Sequence, residues 1–184
     1  DILTAGAFAN AARAVLSIGG SLNAVKHLQA VATEAESGVD VYGLFETLGP
    51  QTPVLAGIRP IGEHLIEEFE AAGGCRALMK QLQPVLDTTP LTVTGRTVAD
   101  NLADVRVVNE EVIRPIDRPV ARRPAIVLLR GSLAPEGALI KPGITERKVR
   151  RFSGPAVCFD NSEYAVAALR DKRIAPGSVL VMRG

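Results

Sequence analysis

The feature that most constrains the fold is a proline-rich stretch, Val112–Pro124, that divides the chain into two unlike halves. Three prolines fall within it. Proline removes a backbone donor and disfavours helix in the residue before it, so the stretch predicts an extended connector. Residues 1–111 carry 7 basic and 14 acidic side chains, a net charge of −7, whereas residues 112–184 carry 14 and 6, a net of +8. We therefore predict one domain at 1–111 and a second at 112–184.

Helical periodicity dominates the first half. Apolar residues recur at i, i+3, i+4 and i+7 from Thr4 to Leu16, and again in a helix that Ser21 opens. The same spacing predicts an amphipathic helix over Ile61–Ala72, whose inward-facing residues are Leu65, Ile66 and Phe69. Shorter signals predict helices after Asp40, over Cys75–Leu82 and after Thr97, and a strand at Leu91–Thr94.

Strand signals dominate the second half. Four short apolar runs predict strands, and one amphipathic segment between them predicts a helix that Ser162 caps and that runs through Leu169; the runs are Ala125–Leu129, Ala138–Ile140, Ala156–Phe159 and Ser178–Met182. The continuous first run is typical of a strand covered on both faces. The fold class is α/β, with a helix-rich N-terminal part followed by a β-rich, barrel-like α/β part.

Composition excludes several protein classes. The chain has only two cysteines and two histidines, too few for a disulfide scaffold, a four-cysteine zinc site or a histidine-rich metal site. No apolar run approaches the roughly 20 residues of a membrane helix, and no signal-peptide pattern is present. With 47% apolar and 22% charged residues, these features predict a soluble cytoplasmic protein with no membrane partner. The first residue is not methionine, and we expect the chain to be a fragment.

The positive charge of the second half is concentrated in two places. Arg122 and Arg123 are adjacent, and a second cluster follows later in the chain, at Arg147, Lys148, Arg150 and Arg151. Such clusters release counterions when they bind phosphates. The same residues also fit a solvated strand edge, and no nucleic-acid motif accompanies them. We expect no nucleic-acid partner, and keep a non-catalytic module with a polyanion-binding surface as the alternative function.

The segment Gly19–Ala24 is the most informative local constellation. Two glycines allow the backbone to approach a ligand, and the following helix start favours an anion. Gly20, Ser21 and Asn23 are therefore candidate residues for binding a carboxylate or a phosphate. An ordinary turn followed by a serine helix cap also explains the same residues. Glu136, on a proline-containing turn, is a fourth candidate: it either faces a cleft or accepts turn amides.

The two histidines and the two cysteines are each expected to have an ordinary structural role. His27 is expected to be a hydrogen-bonded, partly buried side chain, and His64 a surface residue. Cys75 near a helix start favours a thiolate, but a lone cysteine is more often inert. Cys158 is expected in the core. We assign no catalytic residue and no metal ligand to this chain.

Six motifs together resemble the dihydroxy-acid dehydratase / 6-phosphogluconate dehydratase family, and they occur in the order seen there. They are Asp1–Thr4, Gly19–Leu28, Leu91–Gly95, Asn101–Asp104, Ile113–Pro115 and Leu129–Ala138. Two positions depart from the family pattern: Leu22 stands where threonine is usual, and Ile61 stands where serine is common. These departures leave the substrate open and indicate a divergent member.

The resemblance implies a hydro-lyase that converts a sugar acid or 2,3-dihydroxy acid into a 2-keto-3-deoxy acid. It implies an iron–sulfur cluster and Mg²⁺ in the full-length enzyme, with the cluster cysteines and most Mg²⁺ ligands before this chain and the proton-abstracting serine after it. Cys75 and Cys158 do not match the cluster positions. The chain would then span the end of an α/β domain and the start of a barrel-like domain. It would be inactive alone, with the rest of its own polypeptide as partner, and the intact protein would be a homo-oligomer.

Overall fold

The computed structural model describes residues 2–142 and 151–183. The chain divides into two compact units, Asp1–Thr145 and Glu146–Gly184. The first unit contains α1 (Ala5–Ser17), α2 (Leu22–Glu34), α3 (Val41–Leu48), α4 (Ile66–Ala71), α5 (Gly74–Leu82), α6 (Val98–Leu102), β1 (Val127–Gly131) and β2 (Ala134–Ile140). The second contains β3 (Ala156–Phe159), α7 (Ser162–Arg170) and β4 (Val179–Met182). The predicted α/β class is confirmed.

Side-chain caps start four of the helices at the places predicted from the sequence. The hydroxyl of Thr4 accepts from the Ala7 amide at 3.2 Å, and that of Ser21 accepts from the Asn23 amide at 3.2 Å. The carboxylate of Asp40 accepts from the amide of Gly43 at the start of α3. Thr97 and Asp100 cap α6 reciprocally. Each cap satisfies a backbone N–H that the helix leaves without an intrahelical partner.

Two apolar clusters hold the first unit together. One lies between α1, α2 and α3 and also takes in the residue just before β1; it contains Phe8, Leu16, Val25, Phe45 and Ile126. The other surrounds α5 and contains Leu55, Phe69, Leu78, Leu82 and Ile113. Full burial of one such side chain contributes about 1.5–3 kcal/mol. The cores therefore fix α1, α2, α3 and the entry to β1 in one arrangement.

The proline-rich connector packs against an earlier extended segment. The Arg114 amide donates to the Leu55 carbonyl at 2.8 Å, and the Val54 amide donates to the Ala121 carbonyl at 2.8 Å. Ile113 is fully buried. These contacts fix the path of the connector that leads to β1.

Strands β1 and β2 form an antiparallel hairpin. Leu128 is opposite Leu139, Leu129 is opposite Ala138, and the register is irregular between Leu129 and Gly131. Arg130 forms an ion pair with Glu46 of α3 at 3.3 Å. Leu139 packs against the first apolar cluster. The hairpin is thus anchored to α3 on one face.

The second unit is a β-α-β segment whose two strands are parallel. Val157 pairs with Leu180, and Phe159 with Met182. Asn161, one residue before the predicted cap, caps α7 by accepting from the Tyr164 amide at 2.9 Å. The described residues form two separate two-stranded sheets. The barrel-like arrangement therefore stays a prediction.

Several predicted elements differ from the structure. The helix expected over Ile61–Ala72 is only α4, and Leu65 and Ile66 are exposed. The preceding residues instead turn back, with the Arg59 amide bonded to the His64 carbonyl and Gly62 lying directly on the backbone of Gly57. A helix cannot begin inside that turn.

Two further expectations are wrong. Leu91–Thr94 is not a strand, because Leu91 makes only an isolated bridge to Thr97 across a turn. In β1, Leu129 is exposed, so the strand is not covered on both faces. The basic cluster at Arg147, Lys148 and Arg150 lies outside the described residues.

Candidate functional site

The turn between α1 and α2 is a Schellman motif built on two glycines. The Gly19 amide donates to the Leu16 carbonyl at 3.1 Å, and the Gly20 amide donates to the Val15 carbonyl at 2.8 Å. Gly19 has a φ of +57°, and a Cβ there would overlap Cδ1 of Ile61. The positive φ therefore favours glycine at position 19, and any side chain there would require Ile61 to move. Gly20 and Ser21 serve this turn and the helix cap that follows it.

The first turns of α2 present polar side chains beyond that cap. Asn23 and Lys26 are three residues apart, so they lie on the same side of the helix. Both are exposed. The start of a helix carries a partial positive charge. The Asn23 amide and the Lys26 ammonium group thus both lie near the positive end of the α2 dipole.

The β1–β2 hairpin forms the facing wall. Glu136 is exposed on β2, so the expectation that it lies on a turn is wrong: the segment from Ala134 pairs with β1 instead. The Glu136 backbone carbonyl accepts from Arg130 at 3.1 Å. Gly137 has a φ of +127°, and a Cβ there would lie 3.2 Å from Leu128 Cδ1. Gly137 thus has a backbone conformation, next to Glu136, that residues with a side chain rarely adopt.

A cavity of about 600 Å³ lies between α2, α3 and the hairpin. Its lining has a polar part, formed by Asn23, Lys26, Tyr42 and Glu136, and an apolar part, formed by Leu22, Leu128, Ala138 and Leu139. The structure thus brings together two of the four candidate residues, Asn23 and Glu136, which are 113 positions apart in the sequence. Gly20 and Ser21 are not part of the lining.

Sequence reasoning missed three residues at this site. The spacing of Lys26 from Asn23 could have identified it, because i and i+3 share a helix face. Tyr42 comes from α3, and no local signal links it to α2. Lys141 follows β2, and its Nζ donates to the Gly19 carbonyl at 2.8 Å. Burial lowers the pKa of Lys141 from its ordinary value.

The histidines and cysteines lie elsewhere in the structure. His27 is exposed, so the expectation that it is partly buried is wrong. His64 is half-buried, with Nδ1 3.9 Å from a carboxylate oxygen of Glu68. Cys75 and Cys158 are both exposed free thiols, so Cys158 is not in the core as expected.

Comparisons with known proteins place both halves of the chain in one family. Residues 1–101 match the model of the dihydroxy-acid/6-phosphogluconate dehydratase N-terminal region, and residues 111–184 match that of its C-terminal region. The chain belongs to the dihydroxy-acid/6-phosphogluconate dehydratase family. The predicted family is therefore confirmed.

Similar members of the dehydratase family come from several bacteria. The chain is 42% identical to a dihydroxy-acid dehydratase of Moorella thermoacetica, 43% identical to one of Geobacter metallireducens and 41% identical to dihydroxy-acid dehydratase 2 of Acinetobacter baylyi. Each alignment covers 100% of this chain and 33% of the relative. The chain thus spans about a third of the length of these dehydratases.

The dehydratase resemblance implies an iron–sulfur cluster and Mg²⁺, so the fit of these groups can be tested on this chain. Within residues 2–142 and 151–183, no three His, Cys, Asp or Glu side chains gather where they could hold a metal ion. The cysteines belong to different compact units. The described residues therefore do not fit either group. In the same residues, no helix is long and apolar enough to span a membrane.

Proposed function

We propose that this chain is part of a hydro-lyase that dehydrates a sugar acid or a 2,3-dihydroxy acid to a 2-keto-3-deoxy acid. Its membership in the dehydratase family over both halves of the sequence supports this reaction class. The role of this particular segment is supported by the cavity, which both Asn23 and Glu136 line. In this proposal, the segment forms a wall of the substrate pocket.

The polar part of the lining suits a hydroxylated carboxylic acid. The Asn23 amide and the Lys26 ammonium group can donate hydrogen bonds to a carboxylate, and the α2 dipole favours the same charge. The Glu136 carboxylate can accept a hydrogen bond from a substrate hydroxyl. A substrate bridging the two walls would be held at both ends and oriented for elimination.

The proposal also assigns the metal chemistry to other parts of the polypeptide. An iron–sulfur cluster and Mg²⁺ would supply Lewis acidity for loss of a hydroxyl group. This chain would bind and orient the substrate, and the metal ligands and the proton-abstracting serine would lie outside it. Domains at 1–111 and 112–184, a cytoplasmic location and a homo-oligomeric intact protein stay predictions.

The reaction class can be tested on the complete gene product. Purified anaerobically with Mg²⁺, it should convert at least one acid of a panel containing D-gluconate and 2,3-dihydroxybutanoate into a 2-keto acid, detected as its semicarbazone. The monohydroxy acid lacking the 3-hydroxyl is the matched control, since it has no leaving group. Conversion of no dihydroxy or sugar acid by a metal-loaded preparation would contradict the proposed function.

A further inference from the structure

Lys141 makes a long-range bond at the edge of the candidate site. It follows the last residue of β2, and its Nζ lies 2.8 Å from the carbonyl oxygen of Gly19. The two residues are 122 positions apart. The side chain is half-buried, and burial lowers the pKa of its ammonium group. A charge-assisted bond is stronger where solvent is partly excluded.

The acceptor of this bond belongs to a rigid turn. Gly19 and Gly20 complete the Schellman motif that ends α1, and Ser21 caps α2 directly afterwards. Gly19 also packs against Ile61 on its other side. A displacement of the Gly19 carbonyl would therefore move the start of α2.

The donor of this bond, Lys141, directly follows β2, which forms the opposite wall of the cavity. β2 carries Glu136, and the hairpin is attached to α3 through the Arg130–Glu46 ion pair. That pair connects the hairpin to α3, whereas the Lys141 bond connects it to the α1–α2 turn, which directly precedes α2. The two walls of the cavity, with Asn23 on one and Glu136 on the other, are thereby linked at their common edge.

We propose that Lys141 is a positioning residue that sets the separation between the α2 wall and the β2 wall of the cavity. It acts through the Gly19 carbonyl and does not touch the substrate. Its role in catalysis rests on the proposed function, but its role in joining the two walls does not.

Amide hydrogen exchange on the complete gene product tests the link without any ligand. In Lys141→Met, which removes the donor and keeps the chain length, the amides of Gly20 and Ala24 should exchange at least fivefold faster. Lys141→Arg should restore exchange to within twofold. The matched control is Lys80→Met, because Lys80 also donates from a partly buried Nζ, to the Leu102 carbonyl at 3.0 Å, away from the cavity. Should Lys141→Met not fold, Lys141→Gln replaces it.

The second arm measures KM and kcat of the complete gene product for the best acid of the panel. We expect KM to rise about tenfold in Lys141→Met with kcat within threefold, and neither to change in Lys80→Met. Unchanged exchange at Gly20 and Ala24, or equal changes in both methionine variants, would overturn the proposal. Faster exchange in Lys141→Met with no dehydratase activity in any variant would reject the proposed function and leave the link intact.

Discussion

At the scale of single residues, Gly19 combines two requirements. Its φ of +57° is costly for any residue with a Cβ, and that Cβ would overlap Ile61. The sequence pattern Gly-Gly-Ser predicted a turn and a cap, and both are present. It could not predict the contact with Ile61, because the two residues meet only through tertiary packing.

We predict that Gly19→Ala lowers the free energy of unfolding by about 2–4 kcal/mol, the sum of a left-handed backbone and a steric overlap. Gly38→Ala is the matched control, since Gly38 has a φ of +68° and an added Cβ there meets no atom within 4 Å. It should lose only about 1–2 kcal/mol. Urea unfolding measures both values. Equal losses in the two variants would show that Ile61 exerts no steric constraint on Gly19.

Asn23 and Glu136 were both candidates from the sequence, and the structure shows that they line one cavity. The helix start beside Asn23 was visible in the sequence, whereas the turn predicted at Glu136 was wrong, because Glu136 lies within β2. Their proximity was not, because it depends on how the hairpin packs against α2 and α3.

We expect Asn23→Ala to raise KM about 10- to 100-fold in the complete gene product, which corresponds to about 1.5–3 kcal/mol for a hydrogen bond to a charged group. Glu136→Gln should raise KM about fivefold, because the amide oxygen still accepts a hydrogen bond but carries no charge. The kcat should change less, because these contacts bind the substrate in the ground state as well. Glu34→Gln, at the exposed far end of α2, is the control. Steady-state kinetics measures these values. An unchanged KM in both site variants would show that Asn23 and Glu136 do not contact the substrate.

At the scale of elements, capping residues predicted the helix starts better than periodicity predicted the helix lengths. Thr4, Ser21, Asp40 and Thr97 each cap a helix where the sequence placed it. The amphipathic pattern over Ile61–Ala72 was misleading, since the tight contact of Gly62 with Gly57 delays α4 until Ile66. A cap is a local interaction, whereas a close approach between glycines is not.

The reciprocal cap of α6 makes a titration prediction. The Thr97 hydroxyl, and secondly its amide, donates to the Asp100 carboxylate and holds the pKa of that carboxyl below its ordinary value of 3.8. A depressed pKa stabilises the fold above the unfolded-state pKa, and the contribution is lost as pH falls through the folded-state value. In Thr97→Ala, the pKa of Asp100 should rise toward 3.8.

Carboxyl-carbon NMR titration measures this shift, and Asp87 provides an internal control. Bonds from Thr89 lower the pKa of Asp87, so Thr97→Ala should leave that pKa unchanged. An Asp100 pKa unaffected by the substitution would show that the α6 cap does not govern its ionisation.

At the scale of the whole molecule, the sequence predicted the α/β class, the family and most strands. It missed the buried contacts that organise the first unit. Asn10 illustrates this: it is a buried polar residue of α1 whose amide donates to the Asp87 carbonyl at 2.6 Å and whose oxygen accepts from the Asp87 amide at 3.0 Å. Its partner lies 77 residues away, beyond any periodicity.

We propose that this chain supplies a wall of the substrate pocket and that other parts of the polypeptide supply the metal centre. The most direct measurement reconstitutes the 184-residue chain anaerobically with ferrous iron, sulfide and Mg²⁺, removes unbound metal, and assays metal content and turnover beside the complete gene product. We predict turnover by the complete protein, and neither stoichiometric iron nor turnover for the chain alone. Stoichiometric iron held by Cys75 or Cys158, or 2-keto acid formed by the isolated chain, would contradict the account.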